Sequence, residues 1–139
     1  YIWDGELRNW FSDFGTTRVA FVFDSCLAGG MNDVAGAGRV VSMATGETQS
    51  AYVYSTAGED VDGDGINDGE GVFSRYFVNE GMLQAKADKY DHDKDGVKPE
   101  GKDVVVEESF DYAKANIPPY LKARQKPAIS DNFFNDLLL

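Results

Sequence analysis

Apolar residues recur at helical spacing near the start of the chain. Trp3, Leu7, Trp10, Phe11 and Phe14, behind Asp4 as an N-cap, predict an amphipathic helix over residues 4–14. Gly15-Thr16-Thr17 ends it. The run Val19-Ala20-Phe21-Val22-Phe23 within residues 18–24 is apolar on both faces, the pattern of a central parallel strand. Residues 27–48 mix glycine, alanine and polar positions and read as a mobile loop with room for a short helix. Ala51-Tyr52-Val53-Tyr54-Ser55 is a second strand, rich in aromatic and β-branched residues. An acidic, glycine-rich loop covers residues 58–71. A helix over 72–87 places Phe73, Tyr76, Phe77 and Leu83 on one side, and a second acidic loop fills 88–103. Residues 105–124 read as helix, interrupted or restarted at Pro118-Pro119. Pro127-Ala128-Ile129-Ser130 forms a last short strand before the apolar end Leu137-Leu138-Leu139.

Strands alternating with helices predict an α/β domain with a mostly parallel sheet and right-handed crossovers. Ligands of such sheets lie beyond the carboxyl ends of the strands, so residues 24–26 and 55–57 are expected on one face. The 139 residues, 42% hydrophobic and 13% aromatic, suffice for one domain with a core. Two strong strands are few for a doubly wound sheet, and Tyr1 replaces an initiator methionine; both suggest a fragment or a processed product. The net charge of -11 argues against nucleic acid and suits a chain that binds cations or attracts basic substrates. No apolar run approaches the roughly 20 residues of a membrane span, and no signal peptide is visible.

Cys26 is the only cysteine, in Asp24-Ser25-Cys26-Leu27-Ala28-Gly29-Gly30, directly after the first strand. An intrachain disulfide and a cysteine-rich metal site are therefore excluded. A nucleophile at a strand mouth and a buried core thiol are both open on position alone, and the flanking carboxylate and glycines suit the nucleophile better.

The acidic loops share a pattern. Asp60-Val61-Asp62-Gly63-Asp64-Gly65-Ile66-Asn67-Asp68 places oxygen donors at alternate positions with a glycine at the sixth, the front half of a calcium loop. Its ligands would be Asp60, Asp62, Asp64, the Ile66 carbonyl and Asp68, with Gly71 where an EF-hand has its bidentate glutamate. Asp91-His92-Asp93-Lys94-Asp95-Gly96-Val97 repeats that front half. Asp91, Asp93, Asp95 and the Val97 carbonyl would ligate, and an insertion over residues 98–103 brings Glu108, or else Glu107, to the bidentate place. Oxygen-only donors select calcium over zinc, and weak sites of this kind favour an extracellular or periplasmic setting, with the cytoplasm possible. His92, the only histidine, falls at an outward-pointing loop position and reads as solvated surface.

The strand ending in Asp-Ser-Cys-x-x-Gly, residues 19–30, resembles the nucleophile motif of caspase-like cysteine peptidases, specifically metacaspases and their prokaryotic relatives. Asp4-Gly5-Glu6-Leu7 resembles the helix before that strand. Tyr54-Ser55-Thr56-Ala57 resembles the strand end lining the substrate cleft, and Gly71-Val72-Phe73-Ser74 the start of the next helix. Gln125-Lys126-Pro127-Ala128-Ile129 resembles the closing strand. The resemblance implies a three-layer α/β/α sandwich, of which this chain is the C-terminal two-thirds: a single domain fragment, residues 1–139, incomplete at its N-terminal side. Leu27-Ala28 stand where the family has histidine and serine. The family's catalytic histidine lies in a His-Gly turn roughly 50 residues before the cysteine. It would come from an upstream segment, such as an N-terminal fragment of the same precursor.

The resemblance further implies Cys26 as nucleophile, its N–H in the oxyanion hole, and Asp24 holding the arginine or lysine before the cut, with Ser55 and Thr56 at the cleft. Asp24 as a structural cap is the alternative. Calcium at residues 60–68 would order the cleft, and Arg39 is a conceivable self-cleavage point. The expected function is thus a calcium-dependent cysteine endopeptidase acting on basic peptides. The contrasting expectation is a non-catalytic calcium-binding structural or interaction module on a degenerate caspase-like scaffold.

Overall fold

Arg39–Met43, within the segment expected to be a loop, is the middle strand of the main sheet. A computed structural model of the chain describes residues 2–14, 18–54, 69–92, 94 and 104–138. The first strand, β1 (Val19–Phe23), pairs in parallel with β2 (Arg39–Met43), Val19 opposite Arg39 and Phe23 opposite Met43. The β2 strand also pairs antiparallel with the C-terminal strand Ala128–Asp131, Val40 opposite Asp131 and Met43 opposite Ala128. Between them in sequence, β3 (Val53–Tyr54) and β4 (Glu70–Gly71) make a separate antiparallel pair, so the C-terminal strand is β5. The sheet order is β1-β2-β5, mixed rather than mostly parallel. Among the described residues β1 is an edge, not a central strand, and the second expected strand, described over residues 51–54, does not extend the main sheet.

Alternation along β2 explains why helices cover both faces. Val40 and Ala44 turn to one side, where they join Phe73, Phe77, Val106, Phe110, Ala113 and Leu137. Val41 and Met43 turn to the other and join Ala28 and Val34, with Leu7, Phe21 and Phe23 packed alongside. The first cluster belongs to two helices over residues 72–83 and 106–116, the second to the N-terminal helix and a short 3-10 helix. The chain is a small mixed α/β domain.

The first helix, α1 (Asp4–Trp10), ends earlier than its apolar spacing predicts, and residues 11–13 continue as a turn. Its cap is Trp3, whose N–H donates to Glu6 Oε2 at 3.0 Å, rather than Asp4. The 3-10 helix, Ala28–Val34, carries the chain from β1 towards β2. The second helix, α2, starts as α-helix at Val72–Ser74 and continues as a π-helix at Arg75–Leu83. Gly81 permits this: a Cβ there would meet the Tyr76 carbonyl oxygen at 2.8 Å and Ser109 Oγ at 3.2 Å, so α2 and α3 touch at a glycine. The third helix, α3 (Val106–Asn116), stops just before Pro118, as a proline pair requires, and turns follow over residues 118–124. Across the α2–α3 contact, Glu80 Oε2 accepts from Tyr112 Oη and Lys86 Nζ, both at 2.9 Å, while Arg75 Nε donates to Oε1 at 3.3 Å. Among the described residues no helix is long and apolar enough to cross a membrane.

Candidate active site

The carboxyl ends of β1 and β2 converge on Cys26. After Phe23 the chain turns through Asp24, Ser25, Cys26 and Leu27 into the 3-10 helix. Leu27 takes a left-handed backbone conformation, φ 59° and ψ 23°, which costs a branched residue energy and persists only when surroundings fix it. Its N–H donates to the Gln49 carbonyl at 2.9 Å. Thr45, fully buried beyond the end of β2, donates its hydroxyl to the Ser25 carbonyl at 3.2 Å and accepts the Ala28 N–H at 3.1 Å. Gly29 lies so close that a Cβ would sit 2.5 Å from the Glu47 amide nitrogen. The thiol itself is exposed, with Sγ 3.7 Å from the Ala51 carbonyl oxygen. Exposure removes the alternative of a core thiol.

Asp24 spends one oxygen on structure. Its Oδ2 accepts the Ser74 N–H at 2.9 Å and the Ser74 hydroxyl at 2.7 Å, as a capping side chain does for the third amide of a helix. The acceptor here comes from a distant strand, and Gly71 supplies the room. A Cβ at 71 would lie 2.1 Å from that same oxygen. The capping role of Asp24 is therefore present. Ser55 and Thr56 lie outside the described residues, as do Asp60, Asp62, Asp64, Ile66 and Asp68 of the first acidic loop.

Of the second loop's donors, Asp91 and Glu108 are described, and Asp93, Asp95 and Val97 lie outside. Glu108 is fully buried in the first turn of α3. Its Oε2 accepts the Val105 N–H at 3.2 Å, whereas Oε1 has no hydrogen-bond partner. Burial first, then the charges of Asp88, Asp136 and Glu107, push its carboxyl up to about 7. Glu107 is also fully buried, accepts the Leu137 N–H at 2.9 Å, and is raised to about 7 chiefly by burial. Asp88 Oδ1 is a further buried oxygen without a hydrogen-bond partner. Among the described residues, no group of three or more metal-ligating side chains stands ready to hold an ion.

His92 does not point into solvent. It is half-buried, with Nδ1 3.0 Å from Asp111 Oδ2 on α3 and Nε2 4.0 Å from Asp131 Oδ2 on β5. The hydrogen bond to Asp111 raises its pKa against the opposing effect of burial. Arg39 likewise departs from expectation. It opens β2, and its guanidinium donates to the Val34 carbonyl at 2.9 Å and the Phe11 carbonyl at 2.6 Å. A mobile self-cleavage segment is not what surrounds it.

Thr45 shapes the site without having been singled out by sequence, and Gly71 and Ser74 were read only as the start of a helix, not as partners of Asp24. Gly71 and Ser74 lie in the Gly-Val-Phe-Ser stretch, a visible signal, but nothing local marks Thr45, which acts only because β2 brings it beside Ser25. The chain matches no family model, no curated protein and no solved structure.

Proposed function

We propose that this chain is the cysteine-bearing part of a caspase-like cysteine endopeptidase that cleaves after arginine or lysine and depends on calcium. The observation that carries the proposal is Cys26: an exposed thiol at the carboxyl end of a strand in a parallel pair, on a turn fixed from both sides. Helices on both faces of the sheet are consistent with a caspase-like α/β/α sandwich, completed by strands beyond the open edge of β1. In the family's manner, the Cys26 thiol passes its proton to an imidazole contributed by an upstream segment and attacks the scissile carbonyl. The tetrahedral oxyanion is met by the Cys26 N–H. The amine leaves with the proton, and water releases the acyl group from the thioester. One Asp24 oxygen is engaged by Ser74, and the other is the natural partner of a substrate guanidinium or ammonium.

Glu108 supports the calcium part. A buried carboxylate oxygen with no hydrogen bond, beside the charges of Asp88, Asp136 and Glu107, is one donor that a cation would satisfy. Asp91, Asp93, Asp95, the Val97 carbonyl and Glu108 would hold one ion, and Asp60, Asp62, Asp64, the Ile66 carbonyl and Asp68 a second near the cleft formed with Ser55 and Thr56. Calcium, when bound, would neutralise the charge of these carboxylates. The acidic balance of the whole chain, net -11, favours basic substrates.

The test is covalent labelling of Cys26 by an arginyl peptide electrophile, with the upstream segment added, in calcium and in chelator. Saturable, calcium-dependent labelling that disappears in Cys26→Ala is expected. Equal labelling by an alanyl peptide would refute arginine specificity, and equal rates in chelator would remove the calcium requirement. Calcium binding without any selective labelling would establish the second reading, a calcium-binding interaction module, which the unpartnered Glu108 oxygen also favours.

A further inference from the structure

We propose that Thr45 is a positioning residue for the Cys26 thiol. Its hydroxyl spans the reactive residue, taking the Ser25 carbonyl on one side at 3.2 Å and the Ala28 N–H on the other at 3.1 Å. The hydroxyl's single O–H and one of its two lone pairs are thereby engaged, and the side chain is fully buried. Between those two contacts lie only Cys26 and Leu27, and Leu27 is in the left-handed conformation. A leucine holds that conformation only under constraint. The constraint is the clasp: Thr45 on both flanks, the Leu27 N–H on the Gln49 carbonyl, and Gly29 pressed onto Gly46 and Glu47. The groups that grip Ser25, Leu27, Ala28 and Gly29 belong to residues 45–49, directly after β2, with the Ala51 carbonyl near Sγ and Ser74 on Asp24 beyond them. The turn that aims Sγ is thus set by the next strand rather than by its own sequence.

The consequence for catalysis rests on the peptidase reading, but the positioning does not. A nucleophile displaced by a fraction of its working distance loses rate while keeping its intrinsic reactivity. Thr45→Val removes the hydroxyl at nearly constant shape, and Thr45→Ser retains it. A methanethiosulfonate spin label attached to Cys26, the single cysteine, reports the turn directly in this chain without any substrate. Thr45→Val is expected to sharpen the label's spectrum towards free rotation, while Thr45→Ser keeps the line shape of the parent. An unchanged spectrum in Thr45→Val, or equal mobility in both variants, overturns the proposal.

Should Thr45→Val fail to fold, Thr45→Ala gives a second route. It removes the same hydroxyl without adding a second methyl to the buried site and is expected to free the label as well. A parent-like spectrum there overturns the proposal equally. With the upstream segment present, labelling by the arginyl peptide electrophile should slow about tenfold in Thr45→Val while iodoacetamide alkylation changes less than about twofold. Parallel loss in both reactions would mean simple burial of the thiol and would sink the positioning role. No preference of the parent for the arginyl reagent would defeat the peptidase reading alone, leaving the spin-label comparison to decide Thr45.

Discussion

The Asp24 carboxylate receives both the amide and the hydroxyl of Ser74, two hydrogen bonds that tie the end of β1 to the first turn of α2. Asp24→Ala breaks both and strips a cap from α2, so a loss of about 1–2 kcal/mol in unfolding free energy is expected from urea titration. Ser74→Ala breaks only the hydroxyl contact and should cost about 0.5–1.5 kcal/mol. Equal stability of Asp24→Ala and the parent would show that the cap contributes nothing.

Two glycine substitutions should part company. Gly81→Ala drives a methyl group to 2.8 Å from the Tyr76 carbonyl and 3.2 Å from Ser109 Oγ. Overpacking of that kind destabilises by about 1–3 kcal/mol, outweighing the gain in helix propensity. Gly5→Ala on α1 meets nothing within 4 Å and should stabilise by up to about 1 kcal/mol. Denaturation midpoints that move the same way would contradict this packing of α2 on α3.

In calcium-free protein, stability should fall as pH rises from about 4.5 towards 7. Over that range Glu107 and Glu108 keep protons in the folded state that the unfolded chain has already lost, so folding binds protons. His92 acts with the same sign: its contribution is complete below its ordinary value of 6.5 and is lost as pH climbs through the raised folded value. Glu80 is held below its ordinary range first by Lys86, and its contribution is already in place above 4.5. Melting temperatures in chelator should therefore be higher near about pH 5 than near about pH 8. Calcium should restore the loss at the higher pH, since a bound cation favours ionised Glu108. A melting temperature flat with pH in chelator would contradict the burial of the two glutamates.

The two tryptophans report whether something covers α1. Trp3 is 71% and Trp10 60% exposed, and Phe14, just past the end of α1, is exposed too. Their emission should resemble that of indole in water and shift to shorter wavelength when an upstream segment docks on this side. Unshifted emission with the segment demonstrably bound would place its docking elsewhere.

How much of this was legible depended on whether local pattern or tertiary contact decides an element. The β1 run, α1, α3 and β5 announce themselves through unbroken apolar or helical periodicity. The β2 strand does not: Val40-Val41 is a short apolar pair among glycine, serine and alanine, and its central place follows from pairing on both sides. The π-helical course of Arg75–Leu83 depends on how Gly81 meets Ser109, which no spacing reveals. At the site, the capping alternative for Asp24 was readable from the sequence, whereas position alone left an exposed and a core thiol both open until the structure placed Cys26 at the surface. Thr45, and the engagement of His92 by Asp111, needed the strands and helices in place.

Arg39 bridges the turn after α1 and the end of the 3-10 helix with a single side chain while its backbone is paired in the middle of the sheet. Trypsin requires an extended, accessible backbone, so the bond following this arginine stays closed to it until three elements part together. The rate of that one cut, followed by mass spectrometry, would therefore serve as a clock for cooperative opening of the domain.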